Sequence, residues 1–171
     1  MNTSANTHSL QQKRKKLATH PVGLLAFGFG SGIVPKAPGT AGTLVAAILL
    51  YLFQLAGMQT SGLIALVVIS SIAGIWVCQW ATDKLGVHDD GGIVWDEFAG
   101  FWLCMIMIPH GLMWISIGFV LFRIFDILKP WPINWLDKHV HGGLGIMLDD
   151  LLAGVMAWAV MQAIIYFLPV I

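Results

Sequence analysis

Charge is what this chain has least of. Only 11% of its 171 residues are Asp, Glu, Lys or Arg, against 57% hydrophobic, whereas a soluble domain ordinarily carries about a quarter charged. An ordinary soluble fold is excluded. Nine basic and nine acidic residues cancel to a formal net charge of zero, which removes the global positive field that nucleic-acid binders use. No nucleic-acid partner is expected. Cysteine is nearly absent, and neither Cys78 nor Cys104 opens the Cys-x5-Arg spacing of a cysteine phosphatase. Both lie in apolar runs and read as buried, inert thiols.

The missing charges leave long uncharged runs. None occurs in the 46 residues between Lys36 and Asp83, enough for two membrane spans of about 20 residues each. The polar turn Gly57–Gly62 divides them, predicting helices Thr43–Ala56 and Gly62–Trp80. The uncharged run Phe98–Phe122 is long enough for one span, but Pro109-His110-Gly111 is a turn signal. Splitting it there gives a hairpin, Val94–Ile108 and Leu112–Leu128, and keeps all nine Lys and Arg residues on one side of the membrane, as the positive-inside rule requires of a cytoplasmic face. Helix Leu151–Leu168 then crosses outward.

The expected fold is all-α, a polytopic membrane bundle of about five helical passes. A polar basic tail, residues 1–20, holds Lys13, Arg14, Lys15 and Lys16, and one membrane-embedded domain spans 21–171. The glycine-rich segment Val22–Gly42 is too short and too broken to cross, and is read as re-entrant. It is no secretory signal, because four glycines interrupt Val22–Val34 and Pro35 and Pro38 follow. The eight Trp residues read as interfacial anchors.

The scarce acids are not scattered. His88-Asp-Asp-Gly-Gly92-Ile93-Val-Trp-Asp96-Glu97 and His141-Gly-Gly-Leu-Gly145-Ile146-Met-Leu-Asp149-Asp150 share the pattern His-x3-Gly-Ile-x2-Asp-acid, 53 residues apart. The plainer reading of an acidic pair before an apolar run is helix capping. Two pairs in a repeated context, on one predicted membrane face, point to function instead, since ionisable groups at membrane depth are costly. Four gathered carboxylates would repel one another unless a cation sat between them, and oxygen-only ligands suit Mg²⁺ or Mn²⁺.

Arg123, Asp126 and Lys129 follow at i, i+3 spacing, on one helix face. They read either as an ion pair with a snorkelling lysine or as a further metal ligand, Asp126, beside a cation that binds an anion. Asp137, Lys138, His139 and His141 lie in the following loop, as residues able to orient a ligand or move a proton. The run Gly28–Thr43, rich in glycine, could bring backbone N–H groups to a phosphate, but it matches neither a Walker loop nor a dinucleotide fingerprint.

At these residues the chain resembles the phosphatidylglycerophosphatase A family of bacterial inner-membrane lipid phosphatases. The likeness runs from about Pro21 to Ala157 and rests on Gly28-Phe-Gly-Ser-Gly32, Pro38-Gly-Thr-Ala-Gly42, Val87-His-Asp, Ile93-Val-Trp-Asp-Glu-Phe-Ala-Gly100, Phe122-Arg-Ile-Phe-Asp126, Lys129-Pro-Trp-Pro-Ile133 and the second copy of the repeat. The resemblance implies an Mg²⁺-dependent phosphatase that converts phosphatidylglycerophosphate, presented in the lipid bilayer, to phosphatidylglycerol and inorganic phosphate. Its active site would face the cytoplasm. Asp96, Glu97, Asp126, Asp149 and Asp150 would then hold metal. Arg123 and Lys129 would bind the substrate phosphate, with Ser31 and Thr40 of the glycine-rich loop. His88 and His141 would orient ligands or protonate the leaving group.

The rival class is an ion-coupled transporter with a carboxylate cation site, against which stand acidic pairs at predicted helix starts rather than at mid-membrane. The CDP-alcohol phosphotransferases need Asp-Gly-x2-Ala-Arg, and Asp90-Gly-Gly-Ile-Val-Trp95 departs from it.

Overall fold

The computed structural model describes residues 3–87 and 90–167, and among them no strand occurs. In order, the elements are α1 (Thr3–Leu17), α2 (Pro21–Ala26), a 3₁₀ segment (Gly28–Ile33), α3 (Pro38–Leu55), α4 (Thr60–Leu85), α5 (Trp95–Cys104), α6 (Leu112–Leu128), α7 (Ile133–His139) and α8 (Gly142–Phe167). Three of these, α3, α4 and α8, are long and apolar enough to cross a membrane.

Local chemistry sets the boundaries. Pro38 opens α3 from the first turn, where its missing N–H costs nothing. Gly86 closes α4 in the left-handed conformation (φ 71°), its N–H donating to Thr82 O at 2.9 Å. Lys129 closes α6 in the same way (φ 41°), its N–H reaching Phe125 O at 2.9 Å. Pro130 follows, and the chain cannot continue as helix.

The expected hairpin is present as two helices, but α5 stops at Cys104 rather than Ile108, and a turn through Met107 (φ 59°) and Gly111 (φ 125°) leads to α6. At ten residues α5 is about 15 Å long, too short to span a bilayer unaided. The larger difference lies at α8, which begins at Gly142 rather than Leu151. Glycines taken for loop are helical there because they permit close packing: a Cβ at Gly143 would strike Ile75 O of α4, and one at Gly145 would strike Val140 O. Asp149 and Asp150 therefore lie two turns inside a helix, not at its start.

Helix α5 is the core of the molecule. Of its ten residues, only Asp96 and Leu103 are not fully buried, the pattern of a helix apolar on every side. Its tryptophans correct the expectation of interfacial anchors. Trp95 and Trp102 are buried, and their indole N–H groups tie α5 to its neighbours, donating to Ser70 O of α4 at 3.2 Å and Ala46 O of α3 at 3.0 Å. Trp158 of α8 does the same with Ile106 O at 2.9 Å.

The contact with α8 is backbone to backbone. A Cβ at Gly100 would fall on Asp150 O, and one at Gly154 on Gly100 O, so glycine is required on both sides of the crossing. Gly154→Val is expected to destabilise by about 1–3 kcal/mol, since the obstacle is backbone and cannot swing aside. A thermal melt in detergent checks it. Gly91→Ala, whose Cβ would meet open space, should melt within about 0.5 kcal/mol of the parent.

Candidate active site

The crossing of α5 and α8 brings the two acidic pairs together. Asp96 and Glu97 occupy the first turn of α5, where carboxylates favour the helix dipole. Asp150 stands at the Gly100 contact with Asp149 beside it, and α6 adds Asp126 one turn after Arg123 and one turn before Lys129. Together Asp96, Glu97, Asp126, Lys129, Asp149 and Asp150 line a cavity of about 100 Å³. Each copy of the sequence repeat contributes its isoleucine and both acids, because Ile93 and Ile146 complete the wall with Gly91.

Within this cavity one oxygen each of Glu97, Asp126 and Asp150 lie within 4.8 Å of one another. Glu97 Oε2, Asp149 Oδ1 and Asp150 Oδ2 are buried without a hydrogen-bond partner. A buried carboxylate oxygen without a partner is costly, and a cation between these oxygens removes the cost. A cluster of hard oxygen donors with no nitrogen or sulfur fits a divalent metal such as Mg²⁺ or Mn²⁺.

Cations border the acids on two sides. Arg123 Nη1 lies 2.6 Å from Asp126 Oδ2, 3.2 Å from Glu97 Oε1 and 3.3 Å from Thr43 Oγ1 of α3. The ion pair read from the i, i+3 spacing is real and extends to Glu97. Lys129 Nζ lies 2.7 Å from Asp137 Oδ1 of α7 and 3.0 Å from Asp149 Oδ2. Burial disfavours its charge, but hydrogen bonds and charge from Asp137 and Asp149 outweigh that and hold its pKa above the ordinary lysine value. The same hydrogen bond from Lys129 holds Asp137 below the usual carboxylate range, against its partial burial.

Two glycines of the glycine-rich stretch meet a carboxylate of the chain itself. Gly39 and Gly42 lie against the Glu97 carboxylate, where a Cβ at either would strike one of its oxygens. The start of α3 can thus close over Glu97 with its positive dipole end. Gly32 packs on Gly92 O, and Val94 N donates to Ala26 O at 2.9 Å, which fixes the loop leading into α5. Ser31 is buried with its hydroxyl on Gly28 O at 2.7 Å, and neither it nor Thr40 lines the acidic cavity. His141 is exposed before α8 and outside the cavity wall, and His88 lies outside the described residues.

Two supports went unrecognised in the sequence. Thr43 carried no role there, yet it receives Arg123. Arg14, taken as part of a basic tail, places Nε 2.7 Å from Oδ1 of the buried Asp90, whose same oxygen accepts Gly92 N at 2.9 Å. No spacing rule links positions 14 and 90.

The sequence model of the phosphatidylglycerophosphatase A family matches residues 24–165. A protein of Escherichia coli (strain K12) named phosphatidylglycerophosphatase A is 43% identical over 162 residues, covering 94% of this chain and 91% of that one. One of the same name from Haemophilus influenzae is 44% identical over 151 residues, covering 87% and 91%. No solved structure matches the chain. The likeness extends over most of the chain and most of each relative, and the chain belongs to the phosphatidylglycerophosphatase A family.

Proposed function

We propose that this chain hydrolyses phosphatidylglycerophosphate to phosphatidylglycerol and inorganic phosphate in the cavity between α5, α6 and α8. The observation that carries the assignment is the buried cavity itself, with five carboxylates and Lys129 around about 100 Å³ in a chain of this family. Glu97, Asp126 and Asp150 would hold the metal, Mg²⁺, with Asp96 and Asp149 completing the acidic wall. When bound, the cation supplies Lewis acidity and offsets phosphate charge.

The protein's own groups do the rest. The Lys129 ammonium, on the cavity wall, neutralises phosphate oxygens. Arg123 holds Glu97 and Asp126 in place and adds positive charge behind them. Asp149, with Oδ2 on Lys129 and Oδ1 unpartnered, accepts the proton of the attacking water. As the new O–P bond forms, the bond from phosphorus to the glycerol oxygen breaks, and that oxygen takes a proton from His88, His141 or solvent. Ser31 has no part in this scheme, because its hydroxyl is committed to Gly28.

In the finer topology, α3, α4 and α8 cross the bacterial inner membrane whole, and α5 completes a pass only together with the non-helical turn through Met107, from which α6 returns, which makes five passes. The segment of α2 and the 3₁₀ turn enters without crossing. All basic residues, and the site, face the cytoplasm. Residues 21–171 form the catalytic domain, and 1–20 precede it.

Purified, detergent-solubilised protein should release inorganic phosphate from phosphatidylglycerophosphate with Mg²⁺ and lose that activity on chelation. Asp96→Asn and Asp149→Asn should each lower turnover by about 10²-fold or more while the thermal melt stays near the parent. Near-normal turnover in either would remove that residue from the site, and retention of activity without divalent metal would sink the metal assignment.

Arg123→Lys keeps the charge but loses the planar fork. One ammonium cannot reproduce the guanidinium geometry between Glu97 and Asp126, so turnover at fixed Mg²⁺ is expected to fall about tenfold. A silent substitution would show that charge alone suffices there.

For topology, a cysteine placed at Lys138 should resist an impermeant thiol reagent added to intact cells. Labelling from outside would replace the hairpin by a single pass over Phe98–Phe122 and divide the site between two faces.

A further inference from the structure

Outside the acidic cavity, the largest feature tied to it is an apolar groove of about 310 Å³ between α3 and α6, a volume at the lower end of the range for small-molecule sites. On α3 it is walled by Leu44, Ala47, Ile48 and Tyr51, and on α6 by Leu112, Ile115, Ser116, Phe119 and Val120. Both sets follow i, i+3, i+4, i+7 spacing, so each is one stripe along one helix face. Ala47 and Ile115 are the buried floor, whereas Leu44, Ile48 and Val120 are half-exposed walls. Ser116 spends its hydroxyl on Leu112 O at 2.8 Å, leaving Tyr51 as the other polar side chain.

The direction of the groove is fixed by contacts at its two ends. The helices are antiparallel: Thr43 of α3 meets Arg123 near one end, and Gln54 Oε1 accepts Gly111 N at 3.2 Å near the other. Continued toward the first end, the α3 stripe passes Thr43 and Thr40, each one turn before a groove residue, and the α6 stripe reaches Arg123 one turn after Phe119. The apolar surface therefore runs into the Thr43–Arg123–Glu97 contact that backs the acidic cavity. It extends away from that contact for about 10 Å at 1.5 Å per residue.

We infer that the groove between α3 and α6 binds one acyl chain of the lipid substrate, with the glycerol passing Thr40 and Arg123 on its way to the phosphate in the acidic cavity. This rests on the lipid-phosphatase reading and adds to it a hydrocarbon subsite. The occupant follows from the order of the parts: Arg123 stands one turn beyond the groove on α6 and holds Glu97 and Asp126 of the cavity wall, so the apolar groove and the charged cavity lie on either side of one arginine, in the order of groups along a phospholipid. The groove also gives the enzyme a means of selecting chain length, because Ala47 leaves space that a larger side chain would occupy.

The test uses the full chain in detergent and a phosphatidylglycerophosphate probe with a diazirine in one acyl chain. Photolysis should place the adduct in residues 44–51 and 112–120. Filling the groove with Ala47→Leu and Ser116→Phe, singly and together, should cut that adduct about tenfold in the double variant while the melt shows each protein folded. A choline-headed probe with the same chain should label parent and variants alike, mainly on the lipid-facing side of α4. If the phosphate-headed probe distributes like the choline-headed one, or the filled variants label like the parent, the inference fails.

Phosphate release from the same probe separates this from the activity. The filled variants should show a raised KM for the long-chain probe, with kcat little changed, and parent-like kinetics on a dihexanoyl analogue. Groove labelling without phosphate release in the parent protein would uphold the groove and overturn the phosphatase reading. Release without groove labelling would do the reverse.

Discussion

Carboxylates confined in an apolar environment repel one another, and that repulsion governs how this molecule is built. Two unit charges 4.8 Å apart, the outer spacing of the Glu97, Asp126 and Asp150 oxygens, repel by about 3.5 kcal/mol at an effective dielectric of about 20. The five acids of the cavity face two cations, Lys129 in its wall and Arg123 behind Glu97 and Asp126. Two positive charges cannot balance five negative ones, and each cation is already in contact with two carboxylates. A divalent ion among the unpartnered oxygens would offset most of the difference. On this argument such an ion would stabilise the folded site as well as serve its chemistry.

Holding acids against their repulsion requires a rigid frame, and the frame is made of close backbone approaches. Gly100 and Gly154 let α5 and α8 touch, which sets the distance between the acidic pairs. Gly39 and Gly42 let α3 close over Glu97, while Trp95 and Trp102 fasten α5 to α4 and α3. Each device removes a direction in which α5 could retreat. The Arg14–Asp90 pair does the same for the loop before α5, from outside the span that the family model matches.

Much of this was legible in the sequence, and the parts that were not have definite causes. The acidic pairs were conspicuous because charge is rare, and both copies of the repeat do face one cavity. The break into α5 and α6 followed from the turn signal at Pro109 to Gly111. The start of α8 was misplaced because Gly142, Gly143 and Gly145 suggest loop by propensity, whereas tertiary packing uses the first two to bring α8 against α4 and the third to admit the Val140 backbone. Trp95, Trp102 and Trp158 departed from the interfacial reading for the same reason, and Gly39 and Gly42 proved to meet a carboxylate of the chain. Composition alone cannot tell a Trp at a lipid interface from one bonding a neighbouring helix, or a glycine that admits a ligand from one that admits a carboxylate of the same chain. Arg123 was legible as an ion pair with Asp126, but its reach to Glu97 and Thr43 depends on three helices meeting, which no local spacing encodes.

The shortness of α5 ties fold to chemistry. A helix that crossed the bilayer in full would have to bury its polar first turn in hydrocarbon or carry it wholly into water. At about 15 Å, α5 does neither, because α3, α4 and α8 enclose it and its acids open onto a cavity rather than onto lipid. That cavity lies beside the Asp90–Val94 connection on one side and, on the other, the Lys129–Val140 stretch with Lys129, Asp137 and Lys138. A phosphate ester anchored in a membrane can be hydrolysed only where water and the lipid headgroup meet. An α5 buried by neighbours, started by acids and ended before it can span is a way to place carboxylates at that boundary without exposing them to hydrocarbon. Lengthening α5 by a full turn at its C-terminal end would leave the acids in place, whereas a turn added before Asp96 would move them along the axis by about 5.4 Å, away from Asp126 and Asp150. The N-terminal end of α5 is thus the fixed point of the site.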